Sequence, residues 1–140
     1  MRNSDLENPV PVIRIMLAED DDELRFILER VLFQKGYRVE TITDGITFAK
    51  RLARIAALPK EEWGVDAVVS DLYMPGCSAL EAIEKAKGDL SQLALIMMTS
   101  IADPEIVARA RKLGVKHVLS KPFDLNELAR LIKKSVEEKR

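Results

Sequence analysis

The sequence predicts an α/β protein built on a doubly wound, five-stranded parallel sheet. Short apolar runs alternate five times with amphipathic stretches of helical period, the pattern of successive βαβ units. A chain of 140 residues with 47% apolar content suffices for one ordinary domain and its core. Acidic, hydroxyl and lysine residues follow the apolar runs, at the strand ends where an open parallel sheet binds its ligands.

Residues 12–18 form the first apolar run, read as a strand, and Leu24, Ile27, Leu28, Val31 and Leu32 then recur at helical spacing until Gly36 stops them. Residues 37–41 are a weaker strand. After Asp44 and Gly45 a helix runs through Phe48, Ala49, Leu52 and Ala56 until Pro59 ends it. Residues 65–70 make the third strand, and Ser78 and Glu81 have capping-box spacing before a helix that reaches about Lys87. Residues 93–98 are the fourth strand; Asp103 and Pro104 read as N-cap and first helical residue, with Gly114 just past the helix end. Residues 115–120 are the fifth strand, and Asp124 with Glu127 opens a last helix through Leu128, Leu131, Ile132 and Val136. These elements fill one domain, residues 12–138, behind an N-terminal extension, residues 1–11, expected to be flexible. The stretch 56–64 is expected to be a surface loop, with Trp63 packed on the far end of the sheet.

Composition narrows the function classes. Lys and Arg number 22 against 23 Asp and Glu, so no global basic field exists to hold nucleic acid or an anionic membrane. Cys77 is alone and makes no internal disulfide, no apolar stretch approaches the ~20 residues of a membrane span, and the polar start through Asn8 is not a signal peptide. The expectation is a cytoplasmic protein without membrane insertion.

Right-handed crossovers bring the ends of all five strands to one rim. Glu19 and Asp20 follow the first strand, Asp71 the third, Thr99 and Ser100 the fourth, and Lys121 and Pro122 the fifth. Each has a structural explanation when taken singly. Asp21, Asp22 and Glu23 lie where a helix N-terminus favours carboxylates, Asp71 could form a turn before Met74-Pro75-Gly76, Thr99 could be a cap, and Lys121 a solvated surface residue. Jointly, on consecutive strand ends, they point to a site. Two carboxylates ~4 Å apart repel by roughly 4 kcal/mol at an effective dielectric near 20. A hard divalent cation would compensate, and so would the ammonium of Lys121.

The acidic pair Glu19-Asp20, the run from Asp71 through Leu72, Tyr73, Met74 and Pro75 to Gly76, Thr99 followed by Ser100, and Lys121-Pro122-Phe123 together resemble the receiver domains of bacterial two-component response regulators. The resemblance covers residues 13–138. It implies five parallel strands in order 2-1-3-4-5 and a phosphoacceptor at Asp71. It also implies a Mg²⁺ site, with Mn²⁺ an alternative, made by Glu19, Asp20, Asp71 and the backbone carbonyl of Tyr73. Thr99, with small Ser100 beside it, would hydrogen-bond the phosphoryl oxygens and Lys121 would pair with them, the Lys121-Pro122 bond being cis as is usual in the family. The donor would be a histidine kinase or a histidine phosphotransfer protein. Such a protein promotes its own phosphorylation and dephosphorylation but does not turn over an external substrate. With one helix and a charged tail after the fifth strand, the output is expected to be another protein, as yet unknown, rather than direct nucleic-acid binding.

Departures from the family pattern qualify this. Ser78-Ala79 stands where Asp-Gly is common, so the loop after Asp71 is expected to be shaped differently, and Val118 replaces the usual Tyr or Phe of the switch position. Cys77 has no basic neighbour in sequence to activate it, and His117, with no second His or Cys beside it, reads as a strand-edge residue. Phe26 and Phe33, seven residues apart and off the core stripe of the first helix, are a candidate docking pair for the partner. Among rival readings, a haloacid-dehalogenase-like phosphatase would need an Asp where Tyr73 stands. A flavin site would not tolerate five acids after the first strand. A phosphorylation-independent binding module on the same fold remains the alternative.

Overall fold

The computed structural model describes residues 11–101 and 103–140. The first ten residues of the expected N-terminal extension lie outside the described residues. Five strands, β1 (Arg14–Ala18), β2 (Arg38–Ile42), β3 (Ala67–Asp71), β4 (Ala94–Thr99) and β5 (His117–Ser120), form one sheet in the order β2-β1-β3-β4-β5. All four pairings are parallel. The helices between and after them are α1 (Asp22–Gln34), α2 (Gly45–Ala56), α3 (Ala79–Lys85), α4 (Pro104–Lys112) and α5 (Leu125–Glu138). The order predicted from the resemblance is therefore the observed one.

The alternation of side chains along a strand divides the core in two. Met16, Ala18, Val68 and Met97 face one layer, packed with Phe48, Leu52 and Ile55 of α2, Leu80 and Ile83 of α3, and Ala110 of α4. Ile15, Leu17, Val69, Ile96 and Met98 face the other, packed with Leu28 and Leu32 of α1 and Leu128, Ile132 and Val136 of α5. With both faces covered, β4 is buried at every residue, which is why the central strands read as unbroken apolar runs.

Each of these five α-helices starts on a side-chain cap. Asp21, Asp44, Ser78, Asp103 and Asp124 each accept a hydrogen bond from a backbone N–H of the first turn, satisfying donors that would otherwise lack partners. Gly114, at φ 98°, turns the chain out of α4.

Some boundaries differ from the sequence reading, for physical reasons. β5 begins at His117 rather than at residue 115, because the Val115 amide is spent on the Ala110 carbonyl at the end of α4. α3 stops at Lys85, short of Lys87, where Ala86 turns extended. Ile27, expected in the core stripe of α1, is 40% exposed. The buried line runs through Leu28 and Leu32, and Ile27 falls on its edge. Trp63 is buried, its Nε1 donating to the Leu58 carbonyl at 2.9 Å, and it packs beyond the start of β3, at the end of the sheet opposite the acidic rim.

Candidate functional site

The register brings the strand ends together. Ala18, the last residue of β1, lies opposite Ser70, and Asp71 at the end of β3 lies opposite Met98. Thr99 at the end of β4 lies opposite Ser120. Glu19, just past β1, is fixed by its amide, which donates to the Ile42 carbonyl at the end of β2 at 3.0 Å. Its side chain is fully buried.

Lys121 joins the two acidic strand ends. Its Nζ donates to Glu19 Oε1 at 2.7 Å and to Asp71 Oδ2 at 3.0 Å. Its own amide donates to the Thr99 carbonyl at 2.7 Å, and the Lys121-Pro122 peptide is cis, as expected. Glu19 Oε2 also accepts from the Asp21 amide at 3.3 Å, and the Glu19 carbonyl accepts from Arg25 at 2.9 Å. Asp71 Oδ1 accepts from the Tyr73 amide at 3.4 Å, placing the Tyr73 backbone beside the phosphoacceptor candidate.

Glu19, Asp20 and Asp71 each present a carboxylate oxygen within 4.8 Å of the other two. Burial pushes the Glu19 carboxyl up to about 7, the Lys121 hydrogen bond opposing the rise and the Asp71 charge adding to it. Burial works to lower Lys121, but the hydrogen bonds and charges of Glu19 and Asp71 outweigh it and raise its pKa. One ammonium among three acids leaves negative charge in excess. Asp20 is exposed, and among the described residues its carboxylate accepts no hydrogen bond. A set of hard oxygen donors with one carboxylate free fits a hard divalent cation.

The remaining predicted residues are distributed around this cluster. Thr99 is buried, and its Oγ1 donates to the Ile101 carbonyl at 3.0 Å and accepts from the Ile101 amide at 3.1 Å. Its hydroxyl is thus engaged in its own loop rather than with Asp71. Ser100 is exposed beside it and Val118 is half-buried against the α2–α3 layer. His117 is half-buried on the edge strand β5. Phe26 and Phe33 are 63% and 73% exposed and share a shallow concavity with Glu29, Arg30 and Val39. A cleft between Ile83, Leu90, Leu113 and Lys139 opens at the other end of the sheet and holds none of the clustered acids.

Two contributors escaped sequence reasoning. Arg25 sits among the apolar residues of α1 and its sequence position gives no sign of its contact with Glu19. Gly45 buttresses the loop after Asp71. Its amide donates to the Pro75 carbonyl at 2.9 Å, and an added Cβ would lie 2.0 Å from the Cys77 carbonyl oxygen. The Asp44-Gly45 pair signalled a helix start, but only the tertiary fold shows what the glycine approaches. The loop that lacks the family's Asp-Gly is thereby braced from α2, with Cys77 buried inside it.

Comparison with known proteins agrees with this arrangement. Residues 15–133 match the family model of the response regulator receiver domain. The chain is 30% identical over 124 residues to the transcriptional regulatory protein FixJ of Bradyrhizobium diazoefficiens, covering 89% of this chain and 57% of that one. It is 29% identical over 122 residues to the DNA-binding transcriptional regulator NtrC of Escherichia coli K12, covering 87% of this chain and 24% of that one. The chain thus spans little more than half of one curated relative and a quarter of the other. Among solved structures, the CheY-like response regulator receiver domain protein of Methanospirillum hungatei JF-1 superposes with a TM-score of 0.76 at 24% identity, covering 92% of this chain and 97% of that one. The BeF3-activated DrrB receiver domain does so with a TM-score of 0.73 at 24% identity, covering 91% and 99%. These structural likenesses establish the fold, and with the family match over residues 15–133 the chain belongs to the response regulator receiver domain family.

Proposed function

We propose that the chain is the phosphoacceptor switch of a two-component or phosphorelay system, taking a phosphoryl group onto Asp71 from a histidine kinase or a histidine phosphotransfer protein. The observation that carries this reading is the shared position of Lys121 Nζ on Glu19 and Asp71, within the acidic cluster that Asp20 completes. In the transfer, an Asp71 carboxylate oxygen forms a bond to phosphorus as the bond from phosphorus to the donor imidazole nitrogen breaks. The imidazole departs with the electron pair, balanced by the proton on its other ring nitrogen. Asp20 and Asp71, with Glu19 in support and the Tyr73 carbonyl, would hold Mg²⁺, with Mn²⁺ an alternative. When bound, the ion supplies positive charge to the phosphoryl oxygens as an anion meets an anion.

The chain's own residues do the rest. Lys121 stays on the rim to pair with a phosphoryl oxygen once the Asp71 charge is spent. Thr99 can exchange its Ile101 partners for another phosphoryl oxygen, drawing the loop after β4, with Ser100, inward. The acid test of the assignment is chemical. Incubation with Mg²⁺ and a small phosphodonor should add one hydroxylamine-sensitive phosphoryl group by mass, and Asp71→Asn should abolish it; an undiminished adduct on the variant would place the acceptor elsewhere.

Transfer from a protein donor needs a surface as well as a site. Phe26 and Phe33 present aromatic faces on α1, suited to a helical donor. Phe26→Asp should slow transfer from the kinase by about tenfold while leaving the small-donor reaction at its wild-type rate. Loss of neither would remove Phe26 from the docking surface.

A further inference from the structure

Glu19 and Asp20 occupy the short passage between the end of β1 and the Asp21 cap of α1. The Glu19 side chain is aimed by its hydrogen bonds to Lys121 and to the Asp21 amide. Asp20 has no such aid. With no hydrogen bond accepted by its carboxylate among the described residues, its direction depends on the backbone from which it departs.

That backbone is held at one point by Arg25. The guanidinium Nη1 donates to the Glu19 carbonyl at 2.9 Å, while Nη2 donates to Asp22 Oδ1 at 2.5 Å. The Glu19 carbonyl belongs to the same planar peptide unit as the Asp20 amide. Fixing that oxygen therefore fixes the plane from which the Asp20 side chain departs. The other side of Glu19 is tied through its amide to Ile42, so the peptide units before and after Glu19 are each held by a hydrogen bond. An ordinary surface ion pair would not need this geometry. Asp22 is 89% exposed and could be met by a side chain reaching into solvent, whereas the Arg25 side chain is only 17% exposed and turned back towards the rim.

We infer that Arg25 is a positioning residue for the cation site, acting through the Glu19 carbonyl to aim Asp20. The inference rests on the reading of Glu19, Asp20 and Asp71 as a Mg²⁺ site. It has a sign that separates it from the simpler alternative. As a mere positive charge beside three acids, Arg25 opposes cation binding, and its removal should tighten Mg²⁺. As a positioning residue, it favours binding, and its removal should weaken Mg²⁺ by about tenfold, as loss of an outer partner of a metal ligand commonly does. The planar fork is also specific, since one ammonium on a flexible stem does not reproduce two parallel donors.

The test is a calorimetric titration of the full chain with Mg²⁺ alone, for wild type, Arg25→Gln and Arg25→Lys, beside thermal unfolding of each without metal. The expected result is weaker binding in both variants, Arg25→Lys failing to restore it although it keeps the charge, and unfolding midpoints that stay close together. Wild-type affinity in Arg25→Lys, or tighter binding in Arg25→Gln, overturns the inference while leaving the site intact. If Arg25→Gln fails to fold, Arg25→Lys decides the matter alone. A wild type that takes no Mg²⁺ overturns the reading of the site, and the inference with it.

Discussion

Glu19 and Thr99 are both polar residues buried at the same rim, 0% and 1% exposed, and they are held in different ways. Glu19 is tied to the end of β2 through Ile42, to α1 through Arg25 and to the segment after β5 through Lys121. Among the described residues the Thr99 hydroxyl gives and receives only with Ile101, two residues along its own loop. A residue tied to three separate elements keeps its place when any one of those bonds is exchanged. A local hydroxyl turn can be exchanged for another acceptor at the expense of a small loop movement. The acidic half of the rim is accordingly built in advance, and the half after β4 is the one suited to rearrange when a phosphoryl group arrives.

The largest effect should come from removing the residue that unites the prebuilt half. Lys121→Ala leaves Glu19 and Asp71 without their shared ammonium, and phosphorylation from a small donor should slow by about a hundredfold or more, measured by stopped-flow at saturating Mg²⁺. A loss below about threefold would show that the Lys121 bridge is structural and that the contrast between the two halves does not bear on the chemistry.

A smaller effect follows from the raised Glu19 carboxyl. It titrates near 7 in the folded chain against an ordinary 4.5. Between those values the folded chain holds a proton that the unfolded chain has released, so stability falls as pH rises from 4.5 to about 7, and the loss is complete above that. The size is on the order of 1–3 kcal/mol. Urea unfolding without Mg²⁺ at pH 5 and pH 7.5 should show the decline, and Glu19→Gln should flatten it. An identical decline in the variant would assign the slope to other groups.

The same division marks what the sequence could reveal. Whatever depends on local chemistry was legible: the apolar runs of β1, β3 and β4, the caps at Ser78, Asp103 and Asp124, and the acids and lysine after the strands. These follow from period, capping and strand-end position, which a single chain displays. What depends on packing between elements was not. Ile27 carries the right residue type at the right spacing, yet α5 and the sheet meet α1 along Leu28 and Leu32 instead. Gly45 and Arg25 act on the rim through contacts with Cys77 and Glu19, and neither contact leaves a trace in spacing. The resemblance placed Lys121 with the phosphoryl group, and the hydrogen bonds to Glu19 and Asp71 show where that ammonium stands before any phosphoryl group is present.

The smallest effect on chemistry, and the sharpest on the switch, belongs to Thr99. Its hydroxyl touches neither Asp71 nor Lys121 by hydrogen bond; it is engaged with Ile101, whose side chain is 70% exposed. Thr99→Ala should therefore accept the phosphoryl group within about threefold of the wild-type rate, while losing roughly 1 kcal/mol of stability from the two local bonds. The consequence should appear instead in the loop. In the wild type the Ile101 amide is protected by Thr99 Oγ1 and should lose that protection on phosphorylation, when the hydroxyl turns to the new acceptor. In Thr99→Ala the amide has no such partner in either state, so its exchange rate, read by NMR, should no longer respond; Thr99→Ser, which keeps the hydroxyl, should restore the response. A Thr99→Ala variant that slows as much as Lys121→Ala would move Thr99 into the prebuilt half. One that retains the Ile101 response would show that the loop answers to something other than this hydroxyl.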